Sequence, residues 1–322
     1  MEENRVAFAL DMPSIEDARR MALAVQGGIG MLKVGLELFV EAGPRAVAIG
    51  AEIERPVFLD LKLCDIPETV DRAVARACAL GVRVLTVHAS GGPAMLKRAA
   101  ERAQKEASGL RVAAVTVLTS LDAGDLVKMG VGGDVATHAR RLARLAFDEG
   151  VRVFVCSPQE AAALRADLGA DATLITPGVR SAAAAGQDDQ KRVMTAGDAV
   201  RAGADWVVVG RPIRDAADPL LAAQSIAREV DQARNARAGA RGESSVGCSR
   251  CARRFARTAR SSSASSSRRR DRRRPSSTRW HGSPRIRARP SSESRVPIST
   301  AWRRERVIKA PSRSRRSSAC SR

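Results

Sequence analysis

The chain reads as an α/β protein, a (β/α)8 TIM barrel over residues 1–233 followed by a disordered basic tail over 234–322. Three observations predict this. Short β-branched runs alternate eight times with longer Ala/Arg/Leu/Glu stretches within about 230 residues, a repeat that fits a closed barrel. Several of the runs are apolar throughout, as strands are when both faces of a sheet are covered. Asp11, Lys33, Asp60, Lys62, Asp65, Thr119 and Arg211 fall at or just past the ends of these runs. Barrel sites form at that C-terminal face.

The elements follow in order. VAFAL (6–10) precedes a helix over 14–26, which Ser14 can cap with Asp17 three residues on. MLKVG (31–35) precedes a helix over 37–49. VFLDLKL (57–63) leads to a helix over 67–79, with Pro67 suited to its first position. VRVLTVH (82–88) precedes a helix over 92–107, and RVAAVTVL (111–118) precedes one over 134–148. VRVFVC (151–156) leads through Ser157-Pro158 into a helix over 158–168. ATLITPG (172–178) is followed by a helix over 195–202, and WVVVG (206–210) by one over 218–232. A doubly wound open sheet is the competing architecture. It needs a reversal of strand order, and no GxGxxG or GxxxxGK[ST] follows the first strand.

The net charge of +20 over 322 residues suggests a nucleic-acid binder, but the charge is localised. Residues 234–322 carry 27 Lys/Arg against 4 Asp/Glu, leaving 28 basic and 31 acidic residues in 1–233. The body is therefore mildly acidic and the charge belongs to the tail. Runs such as SSSASSSRRRDRRRPSSTRW lack apolar periodicity and read as low-complexity sequence. Such a tail could condense on phosphate backbones. The favoured readings are an appendage without a role, or GC-rich DNA translated past or out of its frame. Cys248 and Cys251 form one isolated CxxC, a weak zinc signal. Cys64, Cys78 and Cys156 sit in apolar or strand-like contexts and are expected to be buried thiols of a reducing compartment. The start MEENRVAFALD is unlike a signal peptide and no apolar run is long enough to span a membrane, so a cytoplasmic body is expected.

FLDLKLCDIPETV (58–70) is the chemical centre. Asp60 and Lys62 are two apart on one strand, so both leave the same face, while Leu59, Leu61 and Leu63 take the other. Lys33, from the second strand, can share their pocket. Alternating charges can hold one another ionised there. A purely structural ion-pair network is the alternative. Gly210 and Arg211, after the eighth strand, suit phosphate, since Arg presents a planar fork to its oxygens. The alternative is an ordinary surface arginine. Thr119 and Ser120 could be strand-end hydroxyls, and His88 a packed histidine with at most a supporting role. No credible metal set converges.

These residues carry a resemblance. Asp60, Lys62, Asp65, Ile66, Pro67 and Thr69 reproduce D-x-K-x-x-D-I-P-x-T, which resembles the signature of the orotidine 5'-phosphate decarboxylase family. The resemblance spans about residues 5–231, and includes Asp11 in ALD, Lys33 in KVG, LTS at 118–120, TPGVR at 176–180, DQKR at 189–192 and VVGRPI at 208–213. It implies conversion of orotidine 5'-phosphate to UMP and carbon dioxide in de novo pyrimidine biosynthesis, without metal or organic cofactor. It implies that Lys62 protonates C6, that Asp60 lies beside the scissile carboxylate, and that Lys33 and Asp65 complete a Lys–Asp–Lys–Asp array. Asp11 and Lys33 are implied ribose contacts, and Thr119 lies near the pyrimidine. The resemblance further implies that Gly210 and Arg211 bind phosphate, that Gln190 bridges phosphate and base, and that Arg180 joins the ligand contacts. Asp65 and Thr69 are implied to reach the neighbouring subunit's site, giving a homodimer. The four-alanine run in SAAAAGQDDQKR departs from the more polar loops of the family. Two other readings stand beside this one. Related sugar-phosphate decarboxylases and aldolases share D-x-K-x-x-D but use magnesium and lack the combined LTS, TPGxR and DQ(K/R)R set. A nucleic-acid binder on an inactive barrel is opposed by the intact Lys33, Asp60, Lys62 and Asp65.

Overall fold

A computed structural model of the chain describes residues 4–178 and 194–258, with side chains described through residue 239. The expected barrel is present. Strands β1 (Val6–Ala9), β2 (Met31–Val34), β3 (Val57–Leu63), β4 (Val84–His88), β5 (Arg111–Val115), β6 (Val153–Val155), β7 (Thr173–Thr176) and β8 (Trp206–Val209) close in sequence order. Every neighbouring pair is parallel, and β1 pairs with β8. Around them lie α1 (Ile15–Val25), α2 (Leu36–Ala42), α3 (Pro44–Glu52), α4 (Pro67–Ala79), α5 (Pro93–Lys105), α6 (Ala123–Lys128), α7 (Val135–Asp148), α8 (Ala161–Leu168), α9 (Ala196–Ala202), α10 (Arg211–Arg214) and α11 (Pro219–Thr258).

The period-2 alternation of the strands sorts residues into two cores. Val6, Phe8, Leu32, Val34, Leu59, Leu85 and Val87 pack outward against the helices. Ala7, Ala9, Met31, Phe58, Val84, Ala113, Val115, Val153, Val155, Ile175, Trp206 and Val208 fill the barrel interior. Arg5 lies over the Trp206 ring at 5.0 Å, closing the N-terminal end. Continuing the inward alternation toward the C-terminal end, Ala9 gives way to Asp11, Met31 to Lys33, Phe58 to Asp60 and Lys62, and Val84 to Thr86 and His88. The interior thus turns from apolar to polar along its axis.

Several helix starts follow their sequence signals. Ser14 accepts from the Asp17 N–H at 3.1 Å, and Pro67 opens α4. Ser157 receives the Gln159 N–H at 3.4 Å, and the Glu160 carboxylate returns to the Ser157 N–H at 3.1 Å. Other boundaries differ from expectation. The helix expected over 37–49 is two helices, because Gly43 turns left-handed at φ +56° and Pro44 cannot continue a helix. The strand expected over 111–118 ends at Val115, and α6 fills part of the following loop behind an Asp122/Asp125 capping box.

Helix α11 passes through the expected domain boundary at 233/234. Val230 and Ala233 are buried against the barrel. Arg237 donates to the carbonyls of Val200 and Ala204 at 3.0 Å each and pairs with Asp205 at 3.2 Å. Asp205 also accepts from Arg165 and from the Leu174 N–H. The contacts that fasten this helix therefore extend beyond 233. Residues 259–322 lie outside the described part. No helix among the described residues is long and apolar enough to cross a membrane.

Candidate active site

The polar end of the barrel interior holds a chain of charges. Lys33 Nζ lies 3.1 Å from Asp11 Oδ1 and 3.7 Å from Asp60 Oδ2. Lys62 Nζ donates to both Asp60 oxygens, at 2.9 and 2.8 Å. The Asp60 side chain is 14% exposed and Lys33 10%, whereas Asp11 is 47% exposed. The chain of charges thus runs from a buried centre to an open rim. Burial alone would push the Asp60 carboxyl up. The Lys33 and Lys62 charges, with hydrogen bonds from Lys62 and Thr86, outweigh it and hold Asp60 below the usual carboxylate range.

The strand supplying this pair is irregular. Leu59 pairs with Leu85 and Leu63 with Val87, so Asp60, Leu61 and Lys62 together oppose Thr86 alone. Lys62 takes up the excess in a left-handed conformation, φ +50°, which a long side chain rarely adopts. Asp60 and Lys62 meet as the strand spacing predicts, and Leu61 and Leu63 still pack outward. The route to that geometry is a bulge, which the spacing did not reveal. Thr86, fully buried, was also missed. A threonine in a β-branched run carries no signal beyond strand propensity.

His88, at the end of β4, is half-buried beside this array. Burial lowers its tendency to protonate, and the Lys62 charge adds to that, against a smaller opposing pull from Asp60. It faces the array as a neutral ring at neutral pH. Gly35 is a second missed residue. A β-carbon there would lie 2.9 Å from Asp11 Oδ1 and 3.1 Å from Lys33 Nζ. Glycine at this position leaves room for the Asp11–Lys33 pair. Gly35→Ala should therefore reduce turnover about tenfold with little change in Tm, on the scale of a small displacement of positioned groups. Steady-state kinetics beside a thermal melt check this, and unchanged kinetics would remove Gly35 from the site.

The other expected residues divide. Gly210 caps the four-residue α10, and its built β-carbon would lie 3.4 Å from Ala9 Cβ. Arg214 of α10 reaches the Asp11 carbonyl at 3.4 Å, so this segment borders the same rim. Arg211 is exposed at the start of α10. Thr119 is half-buried in the turn after β5, and Ser120 is exposed. Asp65 and Thr69 are not drawn into the array within this chain. Asp65 is exposed and accepts from the Ile66 N–H at 2.6 Å, and Thr69 occupies the first turn of α4. Ile66 between them is 65% exposed. Arg180 and Gln190 lie outside the described residues. Cys64 corrects an expectation: it is exposed past the end of β3, where the chain leaves the barrel wall, while Cys78 and Cys156 are buried. Burial pushes the Cys156 thiol well up and makes it inert. Among the described residues, no three His, Cys, Asp or Glu side chains cluster to hold a metal ion.

The model of the orotidine 5'-phosphate decarboxylase / HUMPS family matches residues 4–226. The chain belongs to this family. An orotidine 5'-phosphate decarboxylase of Anaeromyxobacter sp. (strain K) is 53% identical over 223 residues, covering 69% of this chain and 96% of that protein. One from Thermobifida fusca is 50% identical over 228 residues, covering 70% and 96%. The crystal structure of orotidine 5'-phosphate decarboxylase from Lactobacillus acidophilus superposes with a TM-score of 0.61 at 31% identity, over 70% of this chain and 99% of that one. As a member of the orotidine 5'-phosphate decarboxylase / HUMPS family with such relatives, the chain is an enzyme of the carboxy-lyase class.

Proposed function

We infer that the chain converts orotidine 5'-phosphate to UMP and carbon dioxide, with Lys62 delivering the proton to C6 of the pyrimidine. The observation that carries this reading is the Asp60–Lys62 pair, an ammonium held by two carboxylate oxygens at the polar end of the barrel. Loss of carbon dioxide breaks the bond between C6 and the carboxylate carbon and leaves the electron pair on C6. A fixed ammonium beside that carbon stabilises the developing charge, then supplies the proton. Water returns a proton to the lysine. Asp60 beside the substrate carboxylate adds ground-state electrostatic stress. Preorganisation of the array is the larger contribution, because its charges are in place before the reaction begins.

Around this centre, Asp11 and Lys33 bind the ribose hydroxyls and Thr119 lies against the pyrimidine. Gly210 and Arg211 hold the 5'-phosphate with Gln190, and Arg180 completes the ligand set. The enzyme works as a homodimer in which Asp65 and Thr69 complete the partner's site. The exposure of Asp65, and its lack of an ion pair with either lysine of its own chain, support that reading. The reaction uses neither metal nor organic cofactor and takes place in the cytoplasm.

The test is ultraviolet-monitored conversion of orotidine 5'-phosphate by the purified full-length chain, with and without EDTA. Equal turnover in both is expected. No turnover in a folded sample would sink the substrate assignment, and loss of turnover in EDTA the metal-free one.

A further inference from the structure

We propose that Thr86 is a positioning residue for the decarboxylation, its hydroxyl bridging the Asp60 carboxylate and the Lys62 backbone so that the two charged groups are held in one geometry. The inference rests on the function assigned to Lys62 above and adds a group that acts through it.

The geometry gives Thr86 two tasks. Three residues of β3 oppose this one residue of β4, so the backbone ladder fails where the charged pair sits. The Lys62 N–H, turned by its left-handed conformation, donates to Thr86 Oγ1 at 2.8 Å instead. A side-chain oxygen thus closes the gap left by the bulge. The same hydroxyl donates its single proton to Asp60 Oδ1 at 3.0 Å. A hydroxyl has one proton to give. With Lys62 N–H as donor on one side, that proton is directed at the carboxylate on the other. Thr86 itself is fully buried at the centre of the bridge, so water does not readily take the place of its hydroxyl.

The charged and titratable groups facing Asp60 are Lys33 from β2, Lys62 from β3 itself and His88 from β4, with Asp11 beyond Lys33. None of them duplicates the contact to the Lys62 backbone. Without the hydroxyl, Lys62 keeps its ion pair but loses the anchor of its strained backbone. Asp60 keeps both lysines but loses its only hydrogen bond from an uncharged donor among the described residues.

Thr86→Val keeps the branched shape and removes both bonds. Thr86→Ser keeps the hydroxyl. Thr86→Val should lower kcat about tenfold to a hundredfold with KM within about threefold, on the scale of a lost hydrogen bond to a charged group. The acid limb of its kcat profile should move to higher pH than in the parent enzyme, because Asp60 loses a bond that favours its ionised form. Thr86→Ser should restore kcat to within about threefold and return the limb. A merely structural role would lower thermal stability without moving the limb. Unchanged kcat in Thr86→Val, a loss confined to KM, or equal losses in the valine and serine variants would overturn the proposal. Should the valine variant not fold, Thr86→Ser against Thr86→Cys makes the same comparison by exchanging oxygen for sulfur. Lys62→Ala is assayed alongside: full turnover in that variant would remove the Lys62 reading itself, whereas an inactive Lys62→Ala beside a fully active Thr86→Val would remove only this one.

Discussion

Replacing Lys62 by alanine is expected to leave a folded barrel whose turnover is at least ~10²-fold lower, the scale of a lost general acid. The fold should survive for three reasons. The Lys62 N–H bond to Thr86 is a backbone bond and does not need the lysine side chain. Alanine occupies the left-handed backbone region no less readily than lysine does, so no new strain is created. Asp60 retains Lys33 at 3.7 Å and the Thr86 hydroxyl at 3.0 Å. What disappears is the ammonium held by both Asp60 oxygens. Circular dichroism and a thermal melt should match the parent closely, while steady-state assay of orotidine 5'-phosphate conversion shows the loss in kcat. Parent-like turnover in a carefully purified variant would remove Lys62 as the proton donor.

Asp60→Asn should be comparably severe, and for a different reason. Asparagine preserves size but removes the one anion placed between two ammonium groups. Lys33 keeps Asp11, on the open rim, while Lys62 is left with no ion pair among the described residues of its own chain. We expect turnover to fall by about 10²–10³-fold through lost electrostatic organisation. Stability should fall by roughly 1–3 kcal/mol, as for a buried polar group deprived of its partner. The pH dependence has a definite sign. Asp60 is held below the usual carboxylate range. Its stabilising contribution is therefore complete above the unfolded value of about 3.9 and is lost as pH falls through the lower folded value. Urea unfolding of parent and variant should show a gap that is constant near neutrality and narrows in acid. A gap that widened on acidification would contradict the ionised state assigned to Asp60.

Much of this molecule was legible in its sequence. Eight apolar runs separated by amphipathic stretches imply a covered parallel sheet because such strands must bury both faces. Ser14, Pro67 and Ser157 mark helix starts because they satisfy or avoid the free N–H groups there. Gly43-Pro44 carried the break between α2 and α3, yet the amphipathic pattern runs through it and hides it. Charged residues within apolar strands pointed to the site, since a lone buried charge is too costly to leave unpaired. Gly35 and Thr86 were not legible. A glycine after a strand and a threonine within one are ordinary residues until a neighbour's atoms are fixed against them.

The sequence by itself determined the repeat, the inward face of each strand and the charged set that face would carry. Period-2 alternation is a local property of an extended chain, and it places Lys33, Asp60 and Lys62 inside once the barrel is assumed. The tertiary structure alone decided how β3 meets β4. The two-residue excess that turns Lys62 left-handed depends on the pairing of strands more than twenty residues apart. It also decided that α11 is fastened beyond residue 233, since Arg237 finds Asp205 and the carbonyls of Val200 and Ala204 only where the chain returns to the barrel floor. Register and long-range pairing are set by the balance of packing and hydrogen bonding across the whole fold, and no window of sequence contains both partners.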